Sequence, residues 1–180
     1  MTFFDVLVIV LASTAGFIDV KTRKIPNWLT FTAAAAGLVG SLFVYGWAGA
    51  LFSVKGMLAG ICVFLVPFIL GGMGGGDVKL MGAIGALKGV NFTLQTALFG
   101  ALWGGIMALF AIFYKKKKEG NLKSLAAGLK LFLFTRGRVG KESIFEVDNP
   151  DKQERIYIPY GLAIFLGVIT SYLVHLDIRI

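Results

Sequence analysis

Six stretches of the chain are almost purely apolar: residues 2–18, 28–47, 56–70, 78–90, 92–114 and 158–176. A helix that crosses a hydrocarbon core of ~30 Å needs ~20 such residues. The pattern therefore predicts an all-α integral membrane protein with about six transmembrane helices. The third and fourth runs are short for a straight crossing, which points to a short or re-entrant segment around residues 71–77. Residues 115–157 form the one sizeable polar segment, read as a loop between helices five and six within a single domain covering 1–180. Inside it, Leu122, Leu125, Ala126, Leu129, Phe132 and Leu133 recur at helical spacing, with Lys123 and Lys130 off the stripe. That spacing predicts an amphipathic helix lying along the membrane surface. Prolines mark the ends. Pro26 closes the first connection and leaves Asn27 to cap the second helix. Pro67 should kink or end the third helix just before a glycine run. Pro159 suits the first turn of the sixth.

Composition supports this picture. Of 180 residues 57% are apolar, against ~45–50% in an average globular chain. There are 24 glycines, a residue that lets membrane helices approach closely. The first run lacks a basic region ahead of it and is read as a retained helix, not a cleaved leader. Cys62 and His175 are the single cysteine and histidine. No metal-binding spacing exists, so neither a metal nor another cofactor is expected.

The net charge of +8 would suggest nucleic acid as a partner in a soluble chain. Here the bases distribute by topology. With the N-terminus outside, 15 of the 18 lysines and arginines fall in inner segments, leaving Lys55, Lys88 and Arg179 outside. Positive charge belongs on the cytoplasmic side of a membrane protein. The expected partner is then the lipid bilayer, with Lys115–Lys118 as a headgroup anchor, and nucleic acid is set aside.

The runs contain almost no acids, so two that sit at inner helix ends stand out. Asp19 closes the first helix. Asp77 follows Gly71-Gly72-Met73-Gly74-Gly75-Gly76 and opens the fourth. Residues 78–90 reach about 20 Å as a helix, so Asp77 is expected within the membrane thickness. An ionisable group there marks a functional site by default. The glycines would permit φ > 0 and the passage of a peptide backbone close to the acid. Two carboxylates sharing a site do not both ionise cheaply, so such a pair holds one proton near neutral pH. The ionised member takes a proton from water while the other donates to the attacked carbonyl. Read singly, Asp19 is as well explained by a helix-end pairing with Lys21 or Arg23, and the glycine run by a flexible turn.

The segment Phe17-Ile-Asp19-Val-Lys-Thr-Arg23-Lys-Ile25-Pro26-Asn27 resembles the first catalytic motif of the type IV prepilin peptidases. Gly74-Gly75-Gly76-Asp77-Val78-Lys79-Leu80 resembles their second, GxGD-x-K-L, motif. Ile158-Pro159-Tyr160-Gly161 is similar to the opening of their last helix. The resemblance implies a GxGD intramembrane aspartic endopeptidase, with Asp19 and Asp77 as the catalytic pair and the active site on the cytoplasmic side of the cell membrane. It implies support from Gly74, Gly76, Lys79, Pro26 and Asn27. The implied substrates are type IV prepilins or pseudopilins, which lose a short basic leader. Larger members carry an N-terminal CxxC segment and also methylate their product. Neither the segment nor the methylation is expected here, as in the short tight-adherence (Flp) form. Archaeal preflagellin peptidases share both motifs. Presenilin-type proteases place a tyrosine before the first aspartate, where this chain has Ile18. The rival classes are a small transporter and an assembly subunit. A transporter would favour paired broken helices, and no second GxGD-like break is visible. Glu142, Glu146, Asp148, Asp151 and Glu154 make the loop acidic, either as a solvated surface or to attract a basic leader.

Overall fold

A computed structural model describes residues 3–119 and 159–177. Among them there is no strand. The elements are α1 (Phe3–Thr22), α2 (Asn27–Ile69), α3 (Gly75–Glu119) and α4 (Tyr160–Asp177). The amphipathic helix expected within 115–157 and the acidic loop residues fall outside the described residues, apart from the end of α3.

Two long helices are each broken once by a glycine in the left-handed region. Gly46 has φ 61° and ψ −148°, and Gly89 has φ 74° and ψ −175°. Other residues rarely adopt such angles. The breaks divide the four described helices into six helical segments, each of which begins or ends close to an expected boundary. Phe3–Thr22, Asn27–Ile69 and Gly75–Ala111 are long and apolar enough to cross a membrane, and Tyr160–Val174 is a shorter apolar helix.

Three expectations need correction. Residues 48–55 were expected to connect helices, yet they are helical and continue α2 to Ile69. Their small and polar letters are packing residues: the buried Ser53 hydroxyl donates to the Ala86 carbonyl at 2.8 Å. Asp19 does not end its helix; α1 runs on to Thr22, and Arg23 terminates it at φ 56°. Asn27 does not cap α2. Pro26 holds the N-cap position in extended conformation without a side-chain cap, and Asn27 is the first helical residue.

The chain divides into two compact units, Met1–Ile106 with Pro159–Ile180, and Met107–Ile158. In the second, the described part is the continuation of α3. In the first, the segment of α3 before Gly89 is the centre. Leu80, Met81 and Ile84 are fully buried there, with Val78, Ala83, Ala86 and Leu87 nearly so. A helix apolar and covered all round is an interior helix. Its contact with α2 is backbone to backbone: a Cβ on Gly56 would lie 2.1 Å from the Gly85 oxygen, and one on Gly85 would lie 2.0 Å from the Gly56 oxygen. Only glycine at both positions allows this approach. α4 packs along α1. It joins the later part of α3 through Trp103 Nε1–H to Thr170 Oγ1 at 3.0 Å and a buried Thr96–Ser171 hydroxyl pair at 3.3 Å.

Candidate active site

The last turn of α1 carries Asp19, which is 3% exposed. α1 ends one turn later, with the Arg23 N–H donating to the Asp19 carbonyl at 2.8 Å. The left-handed Arg23 turns the chain so that Ile25 enters the core. Pro26 then starts α2.

Asp77 sits in the first turn of α3 and is 6% exposed. α2 ends in a Schellman motif: Gly71 is left-handed at φ 78°, its N–H meets the Phe68 carbonyl at 3.0 Å, and the Gly72 N–H meets the Pro67 carbonyl at 2.9 Å. So Pro67 lies in the final turn of α2, two residues from its end, consistent with the expected stop. Gly74 then occupies the N-cap of α3. Its N–H donates to Asp77 Oδ2 at 3.1 Å, while the Asp77 N–H donates to the Gly74 carbonyl at 3.2 Å. This is the carboxylate half of a capping box, with the acid at the third helical position.

The glycines of the GxGD string act differently from the expectation. Among them no φ is positive; in the connection before α3 only Gly71 is left-handed. Gly74 has ordinary room around it. Gly76 meets Ile25, whose Cβ would lie 3.1 Å from a Cβ at 76. Gly76 thus seats the start of α3 against the Ile25-Pro26-Asn27 segment. A second link joins the same segments, for Lys79 Nζ donates to Asn27 Oδ1 at 2.9 Å and lies 5.5 Å from the Phe31 ring centre.

The two segments therefore meet, and the carboxylates of Asp19 and Asp77 lie within electrostatic reach of each other. A third segment joins them, the first turn of α4, which the sequence marks only as a helix opening. The Gly161 N–H, at the start of α4, donates to Asp19 Oδ2 at 2.8 Å. Tyr160 beside it packs edge-on against Phe64 and lies within electrostatic reach of Asp77. A separation of 142 residues leaves no local pattern that could announce the Gly161–Asp19 bond.

A second charged cluster was not foreseen. Lys88 pairs with the buried Asp5, and the Tyr172 hydroxyl donates to Asp5 Oδ1 at 3.1 Å. Asp5 lies 14 residues before Asp19 on α1, or about 21 Å along the helix. The signal was present as two charges inside apolar runs at outer helix ends. Cavities of about 330 and 460 Å³ lie beside Lys88, and neither is lined by Asp19 or Asp77. Among the described residues no cluster of His, Cys, Asp and Glu is arranged to hold a metal ion.

Fold and site together define a helical membrane protein with two buried carboxylates brought to one end of an apolar bundle. Comparison with known proteins places it further. The profile of the type IV leader peptidase family matches residues 6–109, a stretch that includes both aspartates, and the chain belongs to that family. It is 30% identical over 132 residues to the prepilin leader peptidase/N-methyltransferase of Bacillus subtilis (strain 168). The match covers 71% of this chain and 52% of the relative, so the chain spans about half the length of that protein. No solved structure matches it.

Proposed function

We propose that the chain is an intramembrane aspartic endopeptidase that removes the short basic leader of type IV prepilins or pseudopilins at the cytoplasmic face. The observation that carries this reading is the placement of Asp19 and Asp77, both buried and within electrostatic reach of each other, at one end of a largely apolar bundle. Family membership supports it, as does the relative's name.

The chemistry follows from two carboxylates that hold one proton between them. The ionised carboxylate takes a proton from water, and the water oxygen attacks the scissile carbonyl carbon. The protonated carboxyl gives its proton to the carbonyl oxygen. Collapse of the tetrahedral intermediate breaks the C–N bond as the leaving amine gains a proton. Backbone amides of Gly74 and Gly161 hold one oxygen of each acid. The titration belongs to the pair, so a bell-shaped pH–rate profile is expected, with activity lost when the pair gains a second proton or loses its last.

In this reading the breaks at Gly46 and Gly89 separate successive crossings, six in all, with the N-terminus outside. The positive-inside distribution then puts Asp19 and Asp77 on the side where a basic leader emerges. A prepilin presents an apolar helix to the bilayer and its leader to the cytoplasm, so its scissile bond reaches the interface at their depth.

Co-expression with a prepilin tests the proposal. The native chain should release the leader, and Asp19→Asn and Asp77→Asn should each lower processing at least ~10³-fold at equal expression, because either change removes a proton-transfer partner. Normal processing by either variant refutes it. A preflagellin offered in the same assay separates the archaeal-type substrate preference.

A further inference from the structure

We propose that the Gly161 amide is a positioning group for Asp19, which makes the first turn of α4 a third structural component of the reaction centre. This rests on the reading of Asp19 as a reacting acid.

Four N–H groups at a helix start have no partner within the helix. In α4, which begins at Tyr160, the Gly161 N–H is one of them, and it donates to Asp19 Oδ2 at 2.8 Å. Both residues are buried. A bond from a backbone amide to a carboxylate is among the stronger hydrogen bonds and is directional. It therefore fixes the rotamer of a side chain that must present its oxygens to water and substrate.

The position has no room for a side chain. A Cβ at 161 would lie 2.9 Å from Asp19 Cβ, 3.0 Å from Oδ2 and 3.2 Å from Cγ. All three neighbours belong to the carboxylate-bearing side chain itself, so any substitution moves the acid. The adjacent Tyr160 is anchored separately. Its ring meets Phe64 at a 6.0 Å centroid distance and packs so closely on Gly104 that a Cβ there would lie 2.7 Å from it. The Leu162 N–H closes the turn on the Pro159 carbonyl at 3.2 Å. The turn is thus held by its own contacts, and the Gly161 amide is presented to Asp19 from a fixed base.

Simple packing of α1 on α4 is the competing explanation, and the structure supplies a control for it. Gly16 lies at the same interface, where a Cβ would meet Gly161, Leu162 and Phe165 atoms at an ordinary 3.4 Å. Gly16→Ala perturbs packing without touching the acid.

The test uses the full chain in lipid or detergent with a purified prepilin, reading kcat and KM separately. Gly161→Ala should lower kcat about 100-fold with KM changed less than about twofold, since small misplacements of a reacting group are costly. Replacing the Tyr160–Gly161 amide by an ester removes the N–H and adds no atom. It should lower kcat about 10-fold or more, the size of one lost charge-assisted hydrogen bond. Gly16→Ala should keep kcat within about twofold. The proposal is overturned if the ester chain keeps the native kcat, whether or not Gly161→Ala folds. Asp19→Asn and Asp77→Asn in the same assay report on the peptidase reading itself. If both are inactive while the ester is fully active, only the Gly161 assignment falls.

Discussion

Lys79 and Asn27 belong to different motifs and are 52 residues apart, yet one hydrogen bond joins them. The bond is exposed, so its net worth is modest, about 0.5–1.5 kcal/mol. Its value to the protein is placement: it ties the first turn of α3, which carries Asp77, to the segment just after Asp19. Lys79→Met and Asn27→Ala should each slow leader cleavage about 3- to 10-fold, and the double variant should be no slower than the worse single one. A double-mutant cycle on cleavage rates measures this, and additive losses would mean that the two residues act separately. The sequence marks both residues through their motifs, but not their contact. It also suggests a helix cap for Asn27, because an asparagine before an apolar run has that pattern. Pro26 already occupies the cap, which leaves the Asn27 amide free to receive the lysine.

The helices themselves were largely legible. Apolar runs set α1, α4 and both parts of α3, and the break at Gly89 falls within one residue of the expected end at 90. The apolar pattern begins the second part of α2 at 56, too late, because Gly49, Ser53 and Gly56 look like turn residues in a water-soluble chain. Between membrane helices the same residues are the contact surface, since no hydrophobic force separates helix from lipid and close packing decides. Substitution separates the two roles. Gly85→Ala places a methyl group 2.0 Å from the Gly56 oxygen, so the helices must part. Its expected cost is about 1–3 kcal/mol, seen as a lower melting temperature of the purified protein, with cleavage impaired because Asp77 moves too. Gly105→Ala, with nothing within 4 Å of the new Cβ, should melt at or above the native temperature.

At the far end of the bundle, Asp5, Lys88 and Tyr172 tie together α1, α3 and α4. Lys88 also lies over the rings of Phe92 and Tyr172, at 5.2 and 5.5 Å. Removing one member strands a buried charge, and such losses are on the order of 3 kcal/mol. Lys88→Met should therefore lower the melting temperature clearly, and adding Asp5→Asn should recover part of the loss. A double variant that melts lower still would show that the contacts with Phe92 and Tyr172, and not charge pairing, dominate. None of this assembly follows from hydrophobic pattern, which counts charges in apolar runs but does not pair them.

The buried segment of α3 carries Asp77 near its start and Lys88 near its end, and both are bonded to neighbours. It behaves as a gauge block. Eleven residues of helix, about 16 Å, separate the fixture at one face from the acid at the other. Each inserted or deleted residue would advance one end by about 1.5 Å and turn it by about 100°, so both fixtures cannot stay engaged. On the proposed function, the depth of the cut is in this sense machined into the length of one helix, anchored at the end opposite the two acids.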